Sequence, residues 1–314
     1  HRGKPVRRPT YPWQREPCWH QSTPDSLNLL QRQQRHPLLG SLSAGQGTTW
    51  EGLCDTHLQP FLADHVVGDA VVFPGAGFVE LAIAAAASWL QEAPGSVIEV
   101  EDLDIRAPLL LDAEHTKHLR VHVDAADGSL VIESRTQFTG DTWQQNAVAR
   151  LPKTPYDRLA RTSHFKPPAR KDDFDSETHL QLASDVGLNY GAAFHWVKSG
   201  WVEPDGRTVI GQLRAPVAQD SGLNEFFLHP ALLDAGFQLL VHLMGHAEPD
   251  AADLAFVPTR IGRLQCRHGA GTPRWVQMQV AARAPHSVNT NLQLFDAEGV
   301  CVAILENVRF RSVR

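Results

Sequence analysis

The stretch Gly75-Ala-Gly-Phe-Val-Glu-Leu-Ala-Ile-Ala-Ala-Ala-Ala-Ser-Trp-Leu90 decides the fold. It is rich in alanine, free of internal proline, and opened by Pro74 and two glycines, so it predicts one long helix over 75–90. Its neighbours read differently. Thr56–Phe61, Val71–Phe73, Val97–Leu111, Leu119–Asp124, Leu130–Phe138 and Trp143–Leu151 have the texture of strands, with a hairpin turn at Ala125–Gly128. A single amphipathic helix cannot bury its apolar stripe alone, whereas a curved antiparallel sheet wrapped round it can.

Farther along, the order repeats. A polar, proline-containing connector runs from Pro152 to about Arg170, followed by a helical stretch at Ser176–Val186 and strands at Trp196–Glu203 and Val209–Leu213. A second apolar helix is expected over Pro230–Met244, then strands at Phe256–Gln265, Trp275–Ala281, Asn291–Phe295 and Cys301–Phe310. The halves share negligible sequence identity, so the repeat is architectural: an α+β protein of two helix-in-sheet units. Residues 1–35, with many Pro, Arg and Gln, read as a linker; 36–151 form the first unit, 152–171 the connector and 172–314 the second unit.

The bulk properties exclude several classes. At 314 residues and 42% hydrophobic composition the chain is an ordinary globular protein. A net charge of −6 disfavours nucleic acid as a partner. Cys18, Cys54, Cys266 and Cys301 form no CxxC pair, which fits a reducing cytoplasm. The N-terminal stretch is polar, and the apolar run Phe78–Leu90 contains Glu80 and is too short to span a bilayer, so neither a secretory signal nor a membrane partner is expected.

Two segments carry chemistry. His65 lies next to Asp64 and nine residues before Pro74, in an apolar setting where a neutral imidazole could act as a base. Taken alone it reads as a satisfied core histidine; a partner elsewhere is what would change that. The start of the helix after Pro74 leaves backbone N–H groups suited to a developing enolate oxygen, and Gly75 and Gly77 would let an acyl chain approach. The second segment is His229-Pro230-Ala-Leu-Leu-Asp234-Ala-Gly-Phe-Gln238. Among Leu, Phe and Ala, desolvation would favour protonated Asp234, and Gln238 stands one turn later, within reach of its carboxyl. Asp234 reads equally as a first-turn acid complementing the helix dipole. Tyr190, on the turn Tyr190-Gly191-Ala192-Ala193-Phe194, offers a phenol or is plain core.

Together these segments resemble the dehydratase domains of modular type I polyketide synthases. The family's HxxxGxxxxP motif corresponds to His65–Pro74, its HPxxxDxxxQ motif to His229–Gln238 and its YGPxF stretch to Tyr190–Phe194. His36-Pro37-Leu38-Leu39-Gly40 matches the family's usual opening, and Thr10–Trp19 looks like the tail of a linker that follows an acyltransferase domain. The resemblance implies a double hotdog with one active site between the halves. It implies a β-hydroxyacyl substrate held by phosphopantetheine on acyl carrier protein, no further cofactor, neighbouring synthase domains as partners, and a homodimer. His65 would take the α-proton and Asp234 would protonate the β-hydroxyl. Gln238 and Tyr190 would orient them, the amide near Gly75 would polarise the thioester carbonyl, and Pro74, Gly191, Ala192 and Phe194 would shape the pocket. The departures are Asp69 at the motif glycine (Gly68 precedes it), Ala192 at the motif proline, and Asn146 ending a WxxH-type stretch from Trp143.

Two variants of this reading are weighed beside it. One is a bifunctional dehydratase that also closes a cyclic ether or moves the double bond; the other is an inactive scaffold that binds the carrier. The remaining alternatives lack parts. Val72–Gly77 has Glu80 where a dinucleotide fingerprint needs its third glycine. His115, His118 and His122 sit on one strand with alternating faces, and His242 and His246 read as a helix C-terminus favouring histidine; neither set has the Cys or carboxylate completing a metal site. No GxSxG elbow exists.

Overall fold

Every residue from Ala76 to Ala87 is buried in α1 (Gly75–Leu90), whose small side chains let a sheet close on it from more than one side. Pro74 caps its start, and Gln91, in the left-handed conformation at φ 53°, ends it by donating to the Ala87 carbonyl. In the computed structural model, residues 36–43, 47–217, 222–244 and 255–313 are described; the linker expected over 1–35 lies outside them.

Before the helix come β1 (Ser41–Leu42), β2 (Thr49–Cys54), β3 (His65–Val67) and β4 (Ala70–Val72). After it come β5 (Val97–Ile105), β6 (Leu110–Leu111), β7 (Lys117–Val123), β8 (Ser129–Thr136) and β9 (Gln144–Arg150). The second half holds β10 (Phe174–Asp175), α2 (Ser176–Asp185), β11 (Leu188–Tyr190), β12 (Val197–Val202), β13 (Thr208–Leu213), α3 (Pro230–Gln238) and α4 (Val241–Met244). It closes with β14 (Ala255–Arg267), β15 (Trp275–Ala284), β16 (Ser287–Phe295) and β17 (Cys301–Val313).

One antiparallel sheet of 13 strands runs β1-β2-β7-β8-β9-β5-β14-β17-β16-β15-β13-β12-β10. Strands of the first half occupy one side and strands of the second the other, meeting where β5 pairs with β14 from Val97↔Arg267 to Asp104↔Arg260. The sheet curls round α1 and α3, which pack on each other. This is the double hotdog the resemblance implied. A second sheet, β11-β3-β4-β6, also crosses between halves, with Tyr190 opposite His65.

Three expectations need correction. Thr56–Phe61 is no strand: the Asp55 carboxylate accepts from the His57 and Leu58 N–H groups at 2.8 and 2.7 Å, and Pro60 then opens a 3₁₀ turn. The strand of that region is β2, just before it. Val97–Leu111 is not one run, because β5 ends at Ile105, where Arg106 and Ala107 donate to the Asn146 carbonyl. The helix expected over Pro230–Met244 is split. At Leu240 and His242 the backbone bonds tighten to three-residue spacing, to the carbonyls of Phe237 and Leu239, and the chain turns.

Candidate active site

β3 begins at His65, and its Nδ1 meets the Val72 carbonyl across the hairpin at 2.8 Å. A carbonyl only accepts, so Nδ1 carries the hydrogen and neutral His65 presents the Nε2 lone pair. That pair faces the second half: Nε2 lies 3.7 Å from Asp234 Oδ1, with both residues buried. The separation is too long for a hydrogen bond. The two groups therefore do not satisfy each other, and each is left to meet a different atom of a ligand.

Asp234 is presented by α3, whose nine residues are all buried. Pro230 occupies its first turn, and His229 caps it through Nδ1, which accepts from the Ala231 N–H. One turn on, Gln238 Nε2 donates to Asp234 Oδ2 at 3.1 Å and to the Phe194 carbonyl at 3.4 Å. Tyr190 and Phe194 flank the imidazole, with ring centroids 5.7 and 5.1 Å from it. Burial pushes the Tyr190 phenol well above its ordinary value, so it stays an O–H donor.

The Tyr190–Phe194 turn is tied to β3 by Asp64. Its carbonyl accepts from Gly191 N–H and its carboxylate from Ala193 N–H, both at 2.8 Å. A Cβ on Gly191 would stand 2.3 Å from the Asp64 carboxyl carbon, so glycine is required there. Ala192 takes the first position of a 3₁₀ turn, a place that suits proline but does not need it. Asp69 has a similar explanation. Gly68-Asp69 is a two-residue hairpin with positive φ (60°) only at Gly68, the pattern of a type II′ turn with glycine first. Asn146 is buried beneath the break after β5, and its Nδ2 donates weakly to the Ala107 and Pro108 carbonyls at 3.4 Å.

Around His65 and Asp234 lies a cavity of about 730 Å³, walled by Val72, Phe73, Phe78, Phe237 and Pro258, with Gly75 in its lining. The size and apolar walls suit an extended acyl chain. Gly77, expected beside that chain, is not: its bare face meets the Phe73 ring, where a Cβ would stand 2.5 Å away, and its N–H bonds the Pro74 carbonyl. Of the two, only Gly75 lines the cavity. Among the described residues no group of three or more His, Cys, Asp and Glu could hold a metal, and no helix is long and apolar enough to cross a membrane. His242 is also more than a helix-end cation, for it bonds His179 deep in the core. Nothing in the polar sequence of α2 singled out His179.

Comparison with known proteins identifies the family. The family model for the polyketide synthase dehydratase domain matches residues 36–139, and that for the polyketide synthase dehydratase N-terminal domain matches 167–314. The chain belongs to the polyketide synthase dehydratase domains. Mycoketide-CoA synthase of Mycobacterium tuberculosis is 32% identical over 96% of the dehydratase chain, which spans 7% of that synthase. Spectinabilin polyketide synthase system protein NorB of Streptomyces orinoci is 29% identical over 98% of the chain, which spans 14% of NorB. Among solved structures, an isomerase-inactive variant of GphF DH1 superposes with a TM-score of 0.74 at 26% identity, covering 90% of this chain and 98% of that one. The dehydratase domain from the CurJ module of curacin polyketide synthase gives 0.75 at 23% identity, with the same coverage, and speaks for the fold. As a member of its family the dehydratase domain is a hydro-lyase that removes water from a β-hydroxyacyl thioester in polyketide synthesis.

Proposed function

We propose that His65 is the base and Asp234 the acid of this dehydration. The observation that carries the reading is the pair itself: a buried Nε2 lone pair and a buried carboxyl oxygen, unbonded to each other at 3.7 Å, facing one apolar cavity. An α-carbon proton would pass to His65 Nε2, the Cα–Cβ double bond would form, and the β-hydroxyl would leave as water with the proton of Asp234. Because both groups approach from one side, proton and hydroxyl leave from the same face of the chain. Gln238 would hold the Asp234 carboxyl, the Tyr190 phenol would support the β-hydroxyl, and the backbone at Gly75 would take the thioester carbonyl.

The acyl carrier, with its phosphopantetheine arm, the neighbouring synthase domains and a homodimeric arrangement belong to this reading, and kinship with modular synthases is their support. So does the division into a first hotdog over 36–151, a connector over 152–171 and a second hotdog over 172–314. Mass spectrometry of a β-hydroxyacyl thioester incubated with the domain tests the chemistry. We expect loss of one water with the wild type, and a fall of at least about 100-fold in His65→Ala and in Asp234→Asn. Undiminished turnover in either variant removes that residue from its role.

A further inference from the structure

Behind Asp234 the polar contacts continue inward as a single file. Gln238 Oε1 meets His179 Nε2 at 3.1 Å, and His179 Nδ1 meets His242 Nε2 at 2.9 Å. The three side chains sit on α3, α2 and α4 and are all buried, with Phe174 stacked on the His242 ring at 3.5 Å. The direction of each bond follows from the groups. Gln238 Nε2 can only donate, and its partners, the Phe194 carbonyl and Asp234 Oδ2, accept. Its Oε1 can then only accept, so His179 must carry its hydrogen on Nε2. Burial holds His179 below its ordinary value, aided by His195 and opposed by the Gln238 bond, so the ring is neutral and its Nδ1 accepts from His242 Nε2–H.

We propose that His179, backed by His242, is a positioning residue that decides which oxygen of Asp234 carries the acid proton. With the file pointing as described, Oδ2 already accepts a hydrogen from Gln238, and the carboxyl proton belongs on Oδ1, the oxygen nearer His65. A reversed Gln238 amide would present Oε1 to Asp234 and draw the proton to Oδ2, away from the β-hydroxyl. His179 and the Phe194 carbonyl both oppose that reversal, one as a donor to Oε1 and the other as an acceptor from Nε2. The proposal rests on Asp234 acting as the acid and adds a residue with no contact to the substrate cavity.

The test is a double-mutant cycle on the full chain with a β-hydroxyacyl pantetheine thioester, reading kcat and KM separately. His179→Leu is expected to lower kcat by up to roughly tenfold, the upper end for loss of one hydrogen bond between neutral groups. KM should change little. His179→Gln, whose amide nitrogen can stand where Nε2 stood, is expected to recover most of the loss. In a Gln238→Leu background, His179→Leu is expected to cost almost nothing more. An equal fold-loss in both backgrounds overturns the proposal, because His179 would then not act through Gln238. Isotope-labelled histidine NMR of the unmutated domain gives a check that needs no variant to be active, with His179→Gln serving to assign the signal. The Nε2–H tautomer is expected at neutral pH, and the Nδ1–H tautomer overturns the file. Absence of enoyl product from the wild type is a different failure, that of the dehydratase assignment, and leaves the tautomer result to stand or fall alone.

Discussion

Glu80 is the one charged residue in an otherwise uncharged helix, and it is fully buried. A carboxylate so placed is tolerable only when each oxygen is satisfied. Oε1 accepts from Phe227 N–H at 2.7 Å and from His36 Nε2 at 2.9 Å, and Oε2 accepts from Leu228 N–H at 2.9 Å. His36 is fixed in turn, because its Nδ1 accepts from the Leu38 and Leu39 N–H groups and so leaves the hydrogen on Nε2. A neutral imidazole suffices for that bond. One side chain of the first helix thus fastens the His36–Gly40 opening and the segment leading into α3, both distant in sequence. Removing it strands three donors. Glu80→Ala is expected to lower the unfolding free energy by about 2–5 kcal/mol, because several buried donors lose their acceptor, measured by urea denaturation. A loss below about 1 kcal/mol would show that water or repacking serves those donors as well.

At the scale of elements, the start of α1 separates packing from catalysis within three residues. Gly77→Ala would drive a methyl group into the buried Phe73 ring, itself held edge-on by Phe78 at 5.0 Å, and is expected to cost about 1–3 kcal/mol of stability. Gly75→Ala would place its methyl 2.6 Å from Pro258 Cγ at the cavity wall, so turnover should suffer more than the melting temperature. Assaying the two variants side by side checks the division, and the reverse order of effects would contradict it. α2 offers a second prediction, this time of sign. His179 binds its proton less readily in the fold than at its ordinary value of 6.5. Below that pH the unfolded chain takes up more protons, so the contribution of His179 is whole above about 6.5 and drains away as pH falls toward the depressed folded value. His179→Gln should therefore lose less melting temperature than the wild type between about pH 7.5 and about pH 5.5. An equal or steeper loss would mean that His179 is not held neutral by its burial. Such elements also mark what a sequence can disclose. Gly75–Leu90 was legible to the residue, because alanine content, Pro74 and the absence of internal proline are local facts. His65, Asp234 and Gln238 were legible as a pattern of types. Thr56–Phe61 misled because an Asx turn at Asp55, followed by the 3₁₀ turn that Pro60 opens, overrules the strand. His179 and His242 meet only through the break after α3, which local periodicity does not encode.

For the whole molecule, the decisive feature is that two seams join the halves. β5 pairs with β14 behind the helices, and β11 pairs with β3 in front, setting Tyr190 opposite His65. Neither pairing lies within one half, so the site exists only when both have folded and met. The same joining sets the mouth of the cavity, where Arg309 and Arg311 stand exposed at alternate positions of β17 and so share a face. On the proposed reading, an acyl chain delivered on a phosphopantetheine arm would bring one phosphodiester anion to that mouth, while the chemistry would lie deeper, at His65 and Asp234. Binding and catalysis should then respond separately. Reversing both charges, with Arg309→Glu and Arg311→Glu together, is expected to raise KM for a carrier-bound substrate about tenfold at low salt, with kcat unchanged and the effect shrinking as ionic strength rises. A pantetheine thioester without the phosphate should bind the variant and the wild type alike. Steady-state kinetics on the two substrates decides the matter: an equal rise in KM for both would mean that the arginines shape the tunnel rather than hold the phosphate.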